Sequence, residues 1–337
     1  MATTDEPIRI GVIGLGFGQH HVRTLVNLDG AKLVAVADRR QERGEACARQ
    51  YGVTGYTDGI EMMQKEDLAA VCVCSSPAKR EDVLRHAVAH RIALFVEKPW
   101  ATDLNHARLL ADLCRKSPSV VMTAFSFRFH PALVRLKKLM EGELGEGWLL
   151  NGVYTFSANP PEDHWLWSPE DGNGFFNENS CHLFDAVCHL MGKPVSVVAE
   201  AGNFMGSPSF DGAAVSIRFS DGGVAALTIG SIGAGGHKEF PRIDVITAGG
   251  QATLQGRGHI WEELTWATRD SDGTQQFAQP PEALGTTRYT DAMTHFLHCV
   301  RNGEQPSASA DDGVRSVALA MGVYESARTG SRVQLSW

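Results

Sequence analysis

Three things are scarce in this chain: surplus positive charge, cysteines at ligand spacing, and long apolar runs. Lys and Arg total 31 against 39 Asp and Glu, a formal net charge of -8. Binding a phosphate backbone draws on clustered cations that release counterions, so the balance argues against nucleic acid as a partner. No uninterrupted apolar stretch approaches the ~20 residues needed to cross a bilayer, which argues against a membrane-spanning protein. The polar, acidic start from Met1 to Pro7 lacks the basic stretch and apolar centre of a secretory signal. The seven cysteines include no Cys-x-x-Cys pair. So sparse and odd a set reads as reduced thiols in a cytoplasmic protein. Cys72 and Cys74 alternate along an apolar stretch, as small buried hydrophobes on one face of a strand do.

What is present is length and pattern. The 337 residues correspond to about two domains at ~150 residues each. Through the first third, short apolar runs alternate with amphipathic stretches: Ile8 to Ile13, Lys32 to Ala37, Ala70 to Cys74, Ile92 to Val96 and Val120 to Thr123. Most are apolar throughout rather than at every second residue, as strands are in a parallel sheet covered on both faces. Between them, Val83 and Ala87, then Leu109, Leu110 and Leu113, fall at helical spacing. The expectation is a doubly wound α/β domain over residues 1–125.

The grammar then changes. Trp148 to Phe156, Val195 to Phe204, Ala213 to Phe219, Val224 to Ile232, Ile243 to Thr247 and Ile260 to Ala267 follow one another with mainly turn signals between them. Ser220 to Gly223 and Ala248 to Gly250 suit tight reversals. This predicts a second α/β domain over residues 126–337 with a large, open, mostly antiparallel sheet, closed by helices around Asp291 to Val300 and Val314 to Arg328.

After the first strand comes Gly14-Leu15-Gly16-Phe17-Gly18-Gln19, a glycine-rich turn entering a helix. Gly14 and Gly16 supply the first two positions of a dinucleotide fingerprint, where bare backbone amides at a helix N-terminus meet pyrophosphate. The third position holds Gln19, and Gly18 stands one residue early. The second strand ends in Asp38, ~20 residues beyond the turn, where a carboxylate accepts hydrogen bonds from the adenosine ribose. Arg39 and Arg40 offer the alternative of embracing a 2′-phosphate. The reading is therefore NAD, with NADP open, since Asp38 would repel the extra phosphate.

Further on, positions 178, 182, 185 and 189 recur at helical spacing, so Glu178, His182, Asp185 and His189 are expected on one helix face. Such a stripe is either chemistry or merely a solvated side. Cys181 and His182 are adjacent and point apart on a helix, which argues against a metal site there.

Glu97-Lys98-Pro99 follows the fifth strand. With the glycine turn and Asp38, it resembles the Gfo/Idh/MocA family of sugar and cyclitol oxidoreductases. Phe127-Arg128-Phe129-His130-Pro131 is similar to the segment that opens that family's second domain, Gly172 to Asp185 to its active-site helix, and Ala310 through Ala327 to its closing helix. The resemblance spans nearly the whole chain. It implies a Rossmann domain, a C-terminal α/β domain, and a homodimer or homotetramer built through the C-terminal sheet. The family's acid-x-x-x-His-x-x-Asp arrangement falls on Glu178, His182 and Asp185. Most members carry Asp where this chain has Glu178, and many carry a histidine in the loop that here reads Ser75-Ser76-Pro77-Ala78-Lys79-Arg80-Glu81.

Hydride removal from a secondary alcohol needs a base for the hydroxyl proton and a cation or donor for the developing alkoxide. Read with the resemblance, His182 is the expected base, since an unperturbed imidazole titrates near neutral pH. Lys98, at the C-terminal end of a parallel strand where α/β sheets bind ligands, would polarise the reacting oxygen. Glu178 either orients the imidazole or binds a substrate hydroxyl. Asp185 joins the catalytic set, with the alternative of holding a neighbouring loop. Phe17, Gly18, Ser75, Ser76, Pro77, Glu97, Lys98 and Ser126 join Gly14, Gly16, Asp38 and Arg39 as expected cofactor contacts. Trp165 and Trp167 either stack on a sugar ring or pack against the sheet. Arg128 either binds an anionic substrate group or forms an interdomain salt bridge. The expected activity is hydride transfer between nicotinamide and a sugar, cyclitol or glycoside. The rivals are a redox-assisted glycosidase or lyase that retains NAD, and a non-catalytic dinucleotide sensor.

Overall fold

The computed structural model describes residues 6–158, 160–234, 241–279 and 287–337. The polar start Met1 to Asp5 lies outside them. The chain divides into two compact units: Met1–Ala101 with Asn105–Phe125 and Tyr289–Val314, and Thr102–Leu104 with Ser126–Arg288 and Arg315–Trp337.

The first unit runs β1 (Ile8–Ile13), α1 (Gly18–Leu25), β2 (Ala31–Ala37), α2 (Gln41–Tyr51), β3 (Thr54–Tyr56), α3 (Gly59–Lys65), β4 (Ala70–Val73), α4 (Glu81–Ala89), β5 (Ala93–Val96), α5 (Leu104–Cys114) and β6 (Val121–Thr123). Its six strands pair in parallel in the order β3-β2-β1-β4-β5-β6. β4 and β5 are buried at every residue, as strands covered on both faces must be. The chain order reverses between β1 and β4, and the crevice beyond the strand ends there is where doubly wound sheets take ligands.

The second unit carries α6 (Pro131–Glu141), β7 (Gly147–Thr155), α7 (Phe175–Glu178), α8 (Cys181–Met191), β8 (Pro194–Gly202), β9 (Gly212–Phe219), β10 (Val224–Gly230), β11 (Arg242–Thr247), β12 (Gly250–Arg257), β13 (Ile260–Thr268) and β14 (Gln275–Ala278). The helices α9 (Thr287–Asn302) and α10 (Ala310–Thr329) and the short β15 (Val333–Gln334) complete the chain. The sheet order is β14-β13-β12-β11-β7-β10-β9-β8-β15. Among the described residues only the β7–β10 pair of this sheet is parallel, so the sheet is mixed and mostly antiparallel. β9 alternates buried and exposed residues along most of its length, the signature of a sheet with one face on a core and one open. On the covered face Leu150, Tyr154, Ile217, Leu227 and Val245 meet Leu183, Phe184 and Val187 of α8.

The segment 289–314, placed by sequence in the second domain, packs with the first unit. The reason is aromatic: Phe296 meets Phe95 of β5 edge-on at 5.4 Å, and Tyr289 meets Phe17 of the glycine turn at 6.0 Å.

Candidate active site

The glycine turn is built by close approach. Gly14 has φ +87, and a Cβ there would lie 2.8 Å from the Cys74 carbonyl at the end of β4. Only glycine combines that backbone with that contact. Gly16 is exposed, and a Cβ there would meet only the Arg43 guanidinium, at 3.8 Å. The packing left unassigned by the displaced third glycine belongs to Gly18. A Cβ at position 18 would stand 3.0 Å from Val12 of β1 and 3.4 Å from Cys74, so α1 seats against the sheet one residue earlier than the fingerprint prescribes.

Asp38, at the end of β2, is buried. Its Oδ2 accepts from the Leu15 amide at 2.7 Å and its Oδ1 from the Arg40 amide at 2.9 Å, which fixes the carboxylate beside the turn. Oδ1 keeps a further lone pair for a ribose hydroxyl, while Oδ2 also accepts from Arg43. The guanidinium beside it is that of Arg43, at 3.4 Å from Oδ2; Arg39 is exposed. Along the β4 loop, Ser75 Oγ is buried with no hydrogen-bond partner among the described residues. A bare glycine cradle, an acid at the second strand and an unsatisfied hydroxyl at the fourth fit a dinucleotide across this edge.

Lys98 is half-buried just past β5, and its bond to Pro99 is cis. Two devices hold this turn. Glu97 is buried, its Oε1 accepting from His21 Nε2 at 2.7 Å and its Oε2 from the Lys98 amide at 3.0 Å. Its carboxylate thus faces inward and fixes the turn. Arg80 is 1% exposed. Its Nε and Nη2 donate to the Ser75 carbonyl at 3.1 and 3.0 Å, while Nη1 donates to the carbonyls of Trp100, at 3.1 Å, and Pro99. One guanidinium therefore ties the Ser75–Pro77 loop to the Lys98–Trp100 turn. Burial lowers its pKa to about 10, still charged at neutral pH. Burial, and secondarily Glu97, pushes the Cys72 and Cys74 thiols up, which keeps them protonated and unreactive.

In the second unit, Glu178 and His182 do not share one helix. Glu178 ends α7 and His182 begins α8, with Asn179 and Ser180 between them. The single-face reading of positions 178 to 189 is corrected accordingly. Nor is α8 a solvated helix: every residue in it is buried except His182 and His189. His182 Nδ1 is buried. The imidazole stacks on Phe127 with ring centroids 4.5 Å apart and planes 19° from parallel.

Asp185 and Arg128 find each other. Arg128 Nε donates to Asp185 Oδ2 at 2.8 Å and Nη2 to Oδ1 at 2.5 Å, with side chains 4% and 1% exposed. A pair engaged through both nitrogens and both oxygens in the interior is a structural clamp. The pairing agrees with the alternatives of Asp185 holding a neighbouring loop and Arg128 forming a salt bridge, although both residues lie within the second unit rather than in different domains. Ser126 is buried at the start of the same turn, Ser126–Phe129.

The Trp pair is split. Trp165 is 48% exposed, its ring tilted beside that of His164 with centroids 5.4 Å apart. Trp167 packs partly against the core and lines a cavity of ≈ 560 Å³ with Asn173, Phe210, Tyr324 and Arg328. Tyr324 pins the start of α7: its hydroxyl accepts from the Phe176 amide at 3.2 Å, and a Cβ at Gly174 would lie 2.1 Å from it. Burial pushes this phenol up. His21, Arg80, Phe127 and Tyr324 were not named from sequence as site residues. His21 finds Glu97 76 positions away, Phe127 finds His182 55 away and Tyr324 finds Phe176 148 away, while Arg80 bridges two loops with partners up to 20 residues from it; no sequence motif announces such pairings.

The family model described as "Oxidoreductase family, NAD-binding Rossmann fold" matches residues 8–125, and "Oxidoreductase family, C-terminal alpha/beta domain" matches residues 137–335. The chain is 26% identical over 345 residues to scyllo-inositol 2-dehydrogenase (NAD(+)) of Bacillus subtilis, covering 98% of this chain and 97% of the relative. It is 24% identical over 349 residues to D-apiose dehydrogenase of Paraburkholderia graminis, covering 99% and 91%. Among solved structures, levoglucosan dehydrogenase in complex with NADH and L-sorbose superposes with a TM-score of 0.89 at 20% identity, covering 98% of this chain and 99% of that one.

Proposed function

Because this chain belongs to the Gfo/Idh/MocA oxidoreductase family, we propose that it is a dehydrogenase or reductase that exchanges hydride with a secondary alcohol or ketone of a sugar, cyclitol or glycoside. NAD is the preferred cofactor and NADP the alternative. The observation that carries the reading is the single edge formed by the ends of adjacent strands β1, β4 and β5, which presents the Gly14 turn, the Ser75 loop and the Lys98 ammonium together. The names of the relatives, inositol and apiose dehydrogenases, support a polyhydroxylated substrate.

Bound nicotinamide would supply the hydride acceptor or donor. The Gly14–Gly18 turn and Asp38 hold the cofactor's pyrophosphate and ribose, with Ser75 Oγ as a further donor. Lys98 polarises the substrate oxygen that becomes the alkoxide or carbonyl. His182 takes that oxygen's proton in oxidation and returns it in reduction. Since Nδ1 is buried, the exchange is assigned to Nε2. Glu178 receives a neighbouring substrate hydroxyl, and Trp165 offers a flat face to the sugar ring.

We further assign a homodimer or homotetramer to the open face of the second sheet. Leu149 and Ile246 stand opposite each other there, at 53% and 43% exposure, beside the small residues Ala214, Ser216, Ala226 and Thr228. A flat apolar and small-residue face suits burial against a second copy. Light scattering on the purified chain tests this. A cytoplasmic location fits its seven free thiols.

The deciding experiment screens sugars, inositols and glycosides with NAD and NADP, following absorbance at the reduced nicotinamide band and product mass together. Steady NADH production with an oxidised product is expected. Cleavage without net reduction would instead identify a redox-assisted glycosidase or lyase, and cofactor binding without turnover a sensor.

A further inference from the structure

Phe127 is 1% exposed and occupies the short turn Ser126–Phe129, distant in sequence from α8. One face of its ring lies on the His182 imidazole. The ring also meets His130 at 5.5 Å and 67°, Tyr154 at 5.7 Å and 82°, and Trp261 at 5.8 Å and 81°. Three rings standing nearly perpendicular around a fourth leave it no room to swing. The guanidinium of Arg288 lies over it, with Cζ 5.2 Å from the centroid. Arg288 is itself anchored by hydrogen bonds from Nη1 to His130 Nε2 at 3.1 Å and to the His259 carbonyl.

The next residue closes the frame. Arg128 is locked to Asp185, one turn beyond His182 on α8. The turn and the helix therefore touch at two successive positions: the 127–182 contact is flat and apolar, and the 128–185 contact is bidentate and ionic. The ionic contact sets how far the turn stands from the helix, and the flat contact then sets the plane of the imidazole. An imidazole has two torsions to lose, and a face-on neighbour restricts both without competing for either ring nitrogen.

We propose that Phe127 is the positioning residue of His182: its face fixes the plane in which the imidazole exchanges the substrate proton, with Arg288 bracing the ring. This rests on the assignment of His182 as the proton-transferring group. Small displacements of a reacting group carry large rate penalties, roughly 100-fold for about 1 Å. The substitution Phe127→Leu keeps an apolar group of similar bulk but removes the flat face. It should lower kcat roughly 10- to 100-fold while leaving KM and NADH affinity within about threefold of wild type. Phe127→Tyr keeps the face and should restore most of kcat.

The test that needs no substrate is the histidine spectrum of the full chain, labelled at the imidazole carbons, with the His182 resonance identified by its loss in His182→Ala. A ring stacked on phenyl resonates upfield of the free-histidine position, so the wild-type signal should be displaced. In Phe127→Leu it should return towards the free position and broaden, and in Phe127→Tyr it should stay. A wild-type signal at the free-histidine position overturns the proposal even if Phe127→Leu fails to fold, as does a signal unmoved in a folded Phe127→Leu. Turnover is followed with NAD and myo-inositol, or with the polyol of the screen that reacts fastest. Full activity of His182→Ala there would sink the functional assignment while the resonance result stood. An inactive His182→Ala beside a fully active Phe127→Leu would sink this inference alone.

Discussion

Arg128 and Asp185 bind each other through two parallel hydrogen bonds in the interior of the second unit, 57 residues apart in sequence. Removing one partner strands a desolvated charge, at a cost of about 3–5 kcal/mol. Arg128→Met and Asp185→Asn should each lower the urea midpoint by that equivalent. The double replacement Arg128→Met with Asp185→Leu should recover most of the loss, because two apolar groups need no partner. Equal losses for the single and double variants would show that the pair is not acting as a unit.

Arg80 makes the corresponding link in the first unit, between the Ser75 loop and the Lys98 turn. Three carbonyls at separate positions need the planar fork of a guanidinium, and an ammonium reaches one at a time. Arg80→Lys should therefore weaken NADH binding and reduce kcat together, each by roughly 10-fold or more, with a smaller fall in thermal midpoint. Calorimetric titration with NADH reads the binding part. Wild-type affinity in Arg80→Lys would show that the two loops hold their positions without the fork.

The contrast between what sequence disclosed and what it concealed follows from the range of the forces involved. The strands of the first unit announce themselves because a buried parallel strand is apolar at every position, as β4 and β5 are. Gly14 and Asp38 are legible because a dinucleotide imposes a fixed spacing on one strand-turn-helix-strand unit. The three-residue β3 at the sheet edge carries no such pattern and was missed, as was β12, whose polar outward residues Gln251 and Gln255 mask its alternation. The Arg128–Asp185 pair, the inward turn of Glu97 and the Phe127–His182 stack are long-range contacts. Each needs the tertiary fold to bring two ordinary residues together. The α8 pattern misled for a related reason. The spacing shows Asp185 on a polar stripe, but not that its partner arrives from a different part of the chain and lets every residue of the helix except His182 and His189 be buried.

The proposed preference for NAD rests on Asp38. Its carboxylate is already fixed by the Leu15 and Arg40 amides, so a ribose diol meets a preorganised acceptor, and a 2′-phosphate meets a negative charge. Hydrogen bonds to charged groups are worth about 1.5–3 kcal/mol. Asp38→Ala should thus weaken NADH binding by roughly 10- to 100-fold, while NADPH, freed from the repulsion and with Arg39 and Arg43 at hand, loses little or gains. Fluorescence titration with both reduced cofactors checks the reversal. A parallel loss for both would assign Asp38 to holding the turn rather than to recognising the ribose.

His130 gives the second unit a sensitivity to acid. Burial, and then the charge of Arg288, lowers its pKa from 6.5 to about 3, while the nearby His259 carbonyl pulls the other way. His130 Nε2 faces both Arg288 Nη1 at 3.1 Å and the His259 carbonyl at 3.2 Å, and a second positive charge on the buried ring beside the guanidinium is what the folded state disfavours. Between pH 6.5 and about 3 the unfolded chain binds a proton at this histidine that the folded chain does not. Stability therefore rises with pH across that window and has no contribution from His130 above it. From pH 6.5 to 4.5 the loss should be on the order of 2–3 kcal/mol, read as a falling urea midpoint. His130→Gln should flatten the dependence in that interval, because a neutral amide has no proton to take up. A variant whose midpoint falls in parallel with wild type would move the acid sensitivity to other groups and leave His130 as packing alone.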